Sequence, residues 1–364
     1  MIRKICWLGI ALAAAASLAA QPVQASQSSR ASQPQRIVAV GDLHGDFDAW
    51  REIALSARVI DPRNHWAGGK SILVQLGDIV DRWPDSLKII RHLMKLQTEA
   101  ARAGGRVVVL VGNHEAMNMT GDLRYVTPGE YAAFANADSA RLREGVYAAN
   151  KVAIAAAYRA RSPAMTDDAI HAAWLAQNPL GKLEHQAAWS PTGELGRWTI
   201  ANRAVAKIGD TLFVHGGISV RYAAIPLDEI NRRITAALNA HDDRPESILY
   251  DPFGPLWYRG LITRQEDAAN STPASGQPAA VPAAGYPSID EELTAALRSL
   301  GARRMVIAHT PHLAGIVISN GGRLARIDTG ISRFYGGKLS YLEIVGDKLM
   351  PHNFDRSQPQ NPGR

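Results

Sequence analysis

From residue 36 onward, short apolar runs alternate with amphipathic stretches. Arg36-Ile37-Val38-Ala39-Val40, Ser71-Ile72-Leu73-Val74-Gln75-Leu76 and Val107-Val108-Val109-Leu110-Val111 are continuous and rich in β-branched residues. Strands buried on both faces read this way. Residues 47–59 and 85–103 show helical spacing instead, with Leu87, Ile90, Leu93, Met94 and Leu96 close to one face of the second stretch. The order strand–helix–strand–helix–strand predicts a parallel sheet with right-handed crossovers.

Between about 118 and 203 the texture changes to an Ala-rich stretch holding Trp174, Trp189 and Trp198, with helical patterns and no comparable strand. It reads as a helical insert that either helps select substrate or simply completes the core. Residues 204–208 and 211–215 then flank Gly209-Asp210, a hairpin signal. A helix over 227–239, an Ala/Pro/Ser/Gly-rich mobile loop over 266–287, a helix over 290–300 and a strand over 305–308 follow. Two hairpins close the pattern, 315–319 with 323–327 and 339–345 with 349–353. The fold class expected is α/β (mixed α+β), a two-sheet sandwich flanked by helices, in one domain over 36–354 with a flexible tail at 355–364.

The first residues are patterned for export. Arg3 and Lys4 precede an apolar stretch over 5–20, and Val23-Gln24-Ala25 offers small residues for cleavage. A signal peptide over 1–25, a flexible Ser/Gln-rich leader over 26–35, and a periplasmic or secreted product without a membrane anchor are expected. The only cysteine, Cys6, lies in that segment, so the core must hold the mature chain without disulfides. Charge is mildly positive, with 40 Lys+Arg against 34 Asp+Glu and no long basic block. That balance argues against a nucleic-acid partner and is compatible with anionic phosphate esters.

The chemistry lies where the runs end. Gly41-Asp42-Leu43-His44-Gly45, Gly77-Asp78-Ile79-Val80-Asp81-Arg82, Gly112-Asn113-His114-Glu115, His215-Gly216-Gly217 and Ala308-His309-Thr310 each carry potential metal ligands. Four of them follow an apolar, β-branched run, and ligands collect past the carboxyl ends of strands in open α/β sheets. Asp42, His44, Asp78, Asn113, His215 and His309 supply only oxygen and nitrogen donors. That set suits two divalent ions, manganese first, with iron, zinc or magnesium also admitted. Two ions about 3.5–4 Å apart are suited to displacement at phosphorus.

In order and spacing, these motifs resemble the phosphoprotein phosphatase family of metallophosphoesterases, with the calcineurin-like sandwich, and its bacterial-type Shewanella-like branch most closely. The resemblance spans roughly residues 36–337. It implies that Asp42 and His44 bind the first ion, that Asp78 bridges both, and that Asn113, His215 and His309 bind the second. It also implies that His114 donates a proton to the leaving group with Asp81 orienting it, while Arg82 and Arg259 hold the phosphoryl group. Attack by an activated, ion-bridging hydroxide on a phosphoprotein, phosphopeptide or small phosphomonoester is the implied reaction, with phosphotyrosine a favoured target.

Trp83-Pro84 departs from the Gly that many members carry after the Arg, and Ala308 stands where Gly is common. Dinucleoside polyphosphate or cyclic-nucleotide hydrolysis on the same core, with the insert's Trp residues forming a base pocket, is the alternative activity. A non-catalytic binding module is the alternative from another class. Asp46 reads as a helix N-cap, Glu115 as support around His114, and His312 as a bystander. Asp328-Thr329-Gly330 and Tyr335-Gly336-Gly337 read either as a rim of the site or as a strand end and a turn.

Overall fold

The computed structural model describes residues 35–263 and 286–356. The expected signal peptide over 1–25, nearly all of the expected leader over 26–35, the greater part of the loop expected over 266–287 and most of the expected tail over 355–364 lie outside the described residues.

Among the described residues ten strands occur in chain order: β1 (Arg36–Val40), β2 (Ile72–Gln75), β3 (Arg106–Val109), β4 (Val205–Ile208), β5 (Thr211–Val214), β6 (Arg304–Ile307), β7 (Val317–Ser319), β8 (Leu324–Arg326), β9 (Leu339–Val345) and β10 (Lys348–Phe354). They form two five-stranded sheets, ordered β10-β9-β1-β2-β3 and β4-β5-β6-β8-β7. Three neighbouring strands of each sheet are parallel, β1-β2-β3 at one side of the first and β5-β6-β8 at the centre of the second, and antiparallel strands complete both. A mixed two-sheet sandwich is therefore the architecture.

Alternation within the apolar runs explains how both faces are buried. In β1, Ile37 and Ala39 face the other sheet, joining Val74, Phe213, Val306 and Ile327 in the core between the sheets. Val38 and Val40 point the opposite way, into a larger core with Trp50, Ile53, Ile89, Ile90 and Leu93 of the covering helices. These helices, Phe47–Ser56 and Ser86–Arg102, are the two crossovers of the parallel unit. Asp46 caps the first, accepting the Ala49 N–H at 3.1 Å.

The strands stop sooner than the apolar runs do. After Gln75 the chain leaves the sheet through Leu76, and then Gly77 and Asp78 adopt positive φ of 91° and 52°. That early exit turns Asp78 across the strand ends. A Cβ on Gly77 would lie 2.5 Å from the Gly112 nitrogen, and one on Gly112 would lie 2.3 Å from Asp78 Oδ1. The two ligand-bearing loops can approach this closely only because neither residue has a side chain.

Residues 121–202 carry helices and turns and no strand. Trp189 and Leu195 join the main core, whereas Ser139–Arg161 is largely exposed. Among the described residues no helix is long and apolar enough to cross a membrane.

Candidate active site and metal centre

Loops after the parallel strands of both sheets meet at one end of the sandwich. The first two motifs are zipped together by backbone bonds: the N–H groups of Leu43 and His44 donate to the Asp78 carbonyl at 2.9 and 3.0 Å. Ala308 N–H donates to the His215 carbonyl at 2.8 Å, joining the last two in the same manner. Glu115 fixes the Asp78 turn by accepting the N–H groups of Asp78, Ile79 and Gly112 at 2.8–2.9 Å. Its support therefore goes to the Asp78 loop more than to the His114 ring. The helix Asn113–Thr120 starts here and directs its His114 N–H at Asp78 Oδ1, 3.0 Å away.

Asp42, His44, Asp78, Asn113, His215 and His309 are all buried and converge. Candidate ligand atoms of His44, Asp78 and His114 lie within 4.8 Å of one another, as do those of Asp78, His215 and His309. Asp78 belongs to both groups. His215 Nδ1 bonds the Leu76 carbonyl at 2.8 Å, leaving Nε2 to face Asn113 Oδ1 at 2.9 Å and Asp78 Oδ2 at 3.3 Å. His44 Nδ1 likewise bonds the Val80 carbonyl at 2.9 Å and turns Nε2 toward Asp78 Oδ2, 3.8 Å away. Backbone carbonyls that fix the ring in this way are the usual support of metal-binding histidines.

Electron-rich atoms gathered this closely repel one another unless positive charge lies among them. Asp42 and Asp328 make that tension visible. Burial and then the neighbouring Asp328 and Asp78 raise the Asp42 carboxyl well above its usual range, and burial pushes Asp328 up to about 6. Burial would raise Asp78 too, but His215 and His114 outweigh it and hold that carboxyl well below the usual range. Burial and the His114 charge drive His44 down to about 3, and burial with Arg259 keeps His309 neutral as well. His309 Nε2 is buried with no hydrogen-bond partner among the described residues. The neutral His44 and His309 rings, the orphaned ring nitrogen and the crowded carboxylates fit a pair of hard or borderline cations.

Beside this cluster, His114 Nδ1 bonds Asp81 Oδ2 at 2.5 Å and its Nε2 lies 3.8 Å from Asp78 Oδ2. Burial lowers the affinity of His114 for its proton, but Asp78 and the Asp81 bond outweigh it and the pKa is raised. Asn118 Nδ2 donates to Asp81 Oδ1 at 2.9 Å, fixing the carboxylate from its other side. A cleft of about 240 Å³ opens over these groups, lined also by Arg82, Arg259, Tyr125, Trp257, Pro311 and Tyr335. The Arg82 guanidinium stacks on Tyr125, 3.8 Å from the ring centroid, and among the described residues no carboxylate pairs with it.

Tyr335 lines the cleft and Asp328 contacts Asp42, so the late segment does rim the site. The His312 ring bonds the Gly315 carbonyl at 2.9 Å and does not line the cleft, while its backbone N–H donates to the Asp328 carbonyl at 2.9 Å. None of Trp174, Trp189 and Trp198 lines the cleft, which leaves the nucleobase pocket without its expected walls. Asn118, Tyr125 and Trp257 were not legible as site residues, because single polar or aromatic residues in helical or loop sequence carry no periodic or motif signal.

Comparison with known proteins agrees with this geometry. The calcineurin-like phosphoesterase family pattern matches residues 35–313. Shewanella-like protein phosphatase 2 of Arabidopsis thaliana is 32% identical over 84% of this chain and 73% of its own. Shewanella-like protein phosphatase 1 of Plasmodium berghei is 26% identical over 86% and 73%. In fold, the chain matches a cold-active protein-tyrosine phosphatase of a psychrophilic Shewanella with a TM-score of 0.60, 24% identity, and coverage of 88% and 81% of the two chains. These similarities and the loops that gather at one end of the two sheets have a single reading: the chain is a metal-dependent phosphoester hydrolase and belongs to the calcineurin-like phosphoesterase family.

Proposed function

We propose that this chain is a phosphomonoesterase of phosphoproteins or phosphopeptides that favours phosphotyrosine. One observation carries the reading: Asp78 is shared by two groups of candidate ligands, and the His114–Asp81 pair faces the same cleft as the Arg82 and Arg259 guanidinium groups. Asp42, His44 and Asp78 would hold one divalent cation, and Asp78, Asn113, His215 and His309 would hold the other, with manganese the first candidate. When bound, two such ions lower the pKa of a shared water and neutralise charge on phosphoryl oxygens.

The remaining work belongs to side chains. Arg82 presents a planar fork to two phosphoryl oxygens, and its stacking on Tyr125 keeps that fork in one orientation. Arg259 contributes positive charge to the same cleft. His114 holds a proton at Nε2 and gives it to the departing oxygen, while Asp81 at Nδ1 stabilises the charged ring before transfer. Tyr125, Trp257 and Tyr335 form aromatic walls, which suit a phenyl ester better than a short alkyl one.

A substrate panel tests this reading: phosphotyrosine peptide, phosphoserine peptide, diadenosine tetraphosphate and a phosphodiester, assayed on the metal-loaded enzyme. The phosphotyrosine peptide is expected to show the highest kcat/KM. Faster turnover of the tetraphosphate or the diester would replace the proposal with a nucleotide-directed one. The export pattern over residues 1–25 supports action in the periplasm or outside the cell, and N-terminal sequencing of the mature protein, expected to begin at Ser26, checks it.

A further inference from the structure

Glu130 does not line the cleft, yet it is tied to the chemistry. It lies in the short helix Pro128–Ala132 and is only 3% exposed. Its Oε2 accepts the Thr127 N–H at 2.7 Å, which completes a capping box. Capping needs no more than that. Its Oε1 accepts the Asp81 backbone N–H at 2.9 Å and also the Ser86 hydroxyl. Desolvating a carboxylate is costly, so what it secures on this second side has a use.

What it secures is a strained corner. Asp81 and Arg82 both sit at φ of 71°, a conformation that side-chain-bearing residues rarely adopt. Glu130 holds the N–H of the first, and the Tyr125 carbonyl holds the N–H of the second at 3.1 Å. With the Asp81 backbone held there and Asn118 on Oδ1, Oδ2 is left pointing at His114 Nδ1.

We propose that Glu130 is a positioning residue for the proton donor, locking the Asp81 backbone so that Asp81 keeps the His114 ring turned toward the leaving oxygen. This rests on the reading of His114 as proton donor. The segment from Tyr125 to Glu130 is then a clasp by which the start of the helical region shapes the Asp81–Arg82 corner.

The test compares turnover of p-nitrophenyl phosphate, whose acidic phenol leaves with little help, and phenyl phosphate, whose leaving group needs the proton. Parent, Glu130→Ala, His114→Ala and the double variant are assayed as metal-loaded enzymes. Glu130→Ala is expected to lose about tenfold more kcat on phenyl phosphate than on p-nitrophenyl phosphate. In the His114→Ala background the same change is expected to leave the ratio between substrates untouched, because positioning acts only through that ring. Equal loss on both substrates, no loss on either, or a further shift in the double variant overturns the proposal while the proton-donor reading stands. A substrate-independent loss in His114→Ala itself removes the proton-donor reading, and the proposal with it. If Glu130→Ala fails to fold, Glu130→Met keeps most of the volume but removes both acceptor oxygens and is read by the same ratio: a shift supports the proposal, and an unshifted ratio overturns it.

Discussion

His44, Asp78, Asp81, Arg82 and His309 all have positive φ, between 41° and 71°, and none is glycine. Each such residue costs on the order of 1–3 kcal/mol, which a fold tolerates only where the surroundings over-determine the backbone. Here the requirement is chemical, since glycine has no ligand, acid or cation to offer. The side chains themselves were legible, because Gly-Asp-x-His-Gly, Gly-Asp-x-x-Asp-Arg and Gly-Asn-His-Glu each follow an apolar run. Their backbone strain was not, because nothing local in Asp81-Arg82 demands it; the bonds from Glu130 and Tyr125 do. Two substitutions separate metal binding from proton transfer. His309→Ala is expected to lose bound metal, since its Nε2 has no other partner. His114→Ala is expected to retain the metal and lose turnover of a phenyl ester by about 10²–10⁴-fold. Metal content by elemental analysis, set beside kcat, decides between them, and loss of metal in His114→Ala would make that ring a ligand. Arg82→Lys keeps the charge but loses the fork and the stacking on Tyr125, so kcat/KM is expected to fall by about tenfold or more.

At the scale of elements, the helices of the parallel unit were readable because caps and periodicity agreed, as at Asp46 and the helix Phe47–Ser56. What the cap also does was hidden. Asp46 is fully buried and accepts hydrogen bonds from the side chains of Arg333 and Arg356, each at 3.1 Å. Those residues come from the far end of the chain, and no local pattern announces them. Asp46→Ala is therefore expected to cost more than the ~1 kcal/mol of an ordinary cap, about 1.5–3 kcal/mol, because charged hydrogen bonds are lost while the arginines left behind still reach water. Urea midpoints measure this, and a loss of only about 1 kcal/mol would mean that the two arginines contribute nothing. The helix Pro128–Ala132 gives a pH signature. Burial, then the Asp81 charge, raises the Glu130 carboxyl from 4.5 to about 7, and His185, held near 4 by burial, shares the small cavity beside it. At His185 the folded state binds fewer protons than the unfolded chain between pH of about 4 and 6.5, whereas at Glu130 it binds more between pH 4.5 and 7, so only the Glu130 contribution has the sign that follows. Stability contributed here falls as pH rises through that window, is constant below it, and carries its full penalty above it. The stability difference between parent and Glu130→Gln, followed by urea denaturation across that range, is expected to move against the parent as pH rises.

At the scale of the whole molecule, the ten-strand sandwich was legible because runs buried on both faces and hairpin turns leave few other arrangements. Which sheet would meet which ligand was not, since that depends on contacts far apart in the chain. Asp42 and Asp78 follow strands of the first sheet, whereas His215 and His309 follow β5 and β6 of the second. The inter-sheet core is apolar and non-directional, so it resists separation of the sheets but does little to fix the angle between their ends. Cations held by all four side chains would clamp that end, and their binding free energy would add to folding free energy only when both sheets are in place. Free metal at a hundred times its Kd is expected to stabilise the protein by about 2.7 kcal/mol per site, and chelation to lower Tm correspondingly. His309→Ala should abolish the increment of the one ion that this ring would hold and keep that of the other, each chelated protein serving as its own baseline because truncating a buried ring packed on Trp257 also costs packing. Calorimetry of both proteins with and without chelator measures the increment directly. If the parent's Tm ignores the metal, the ions do not bind the folded state in preference to the unfolded chain, and the clamp across the sandwich end is wrong.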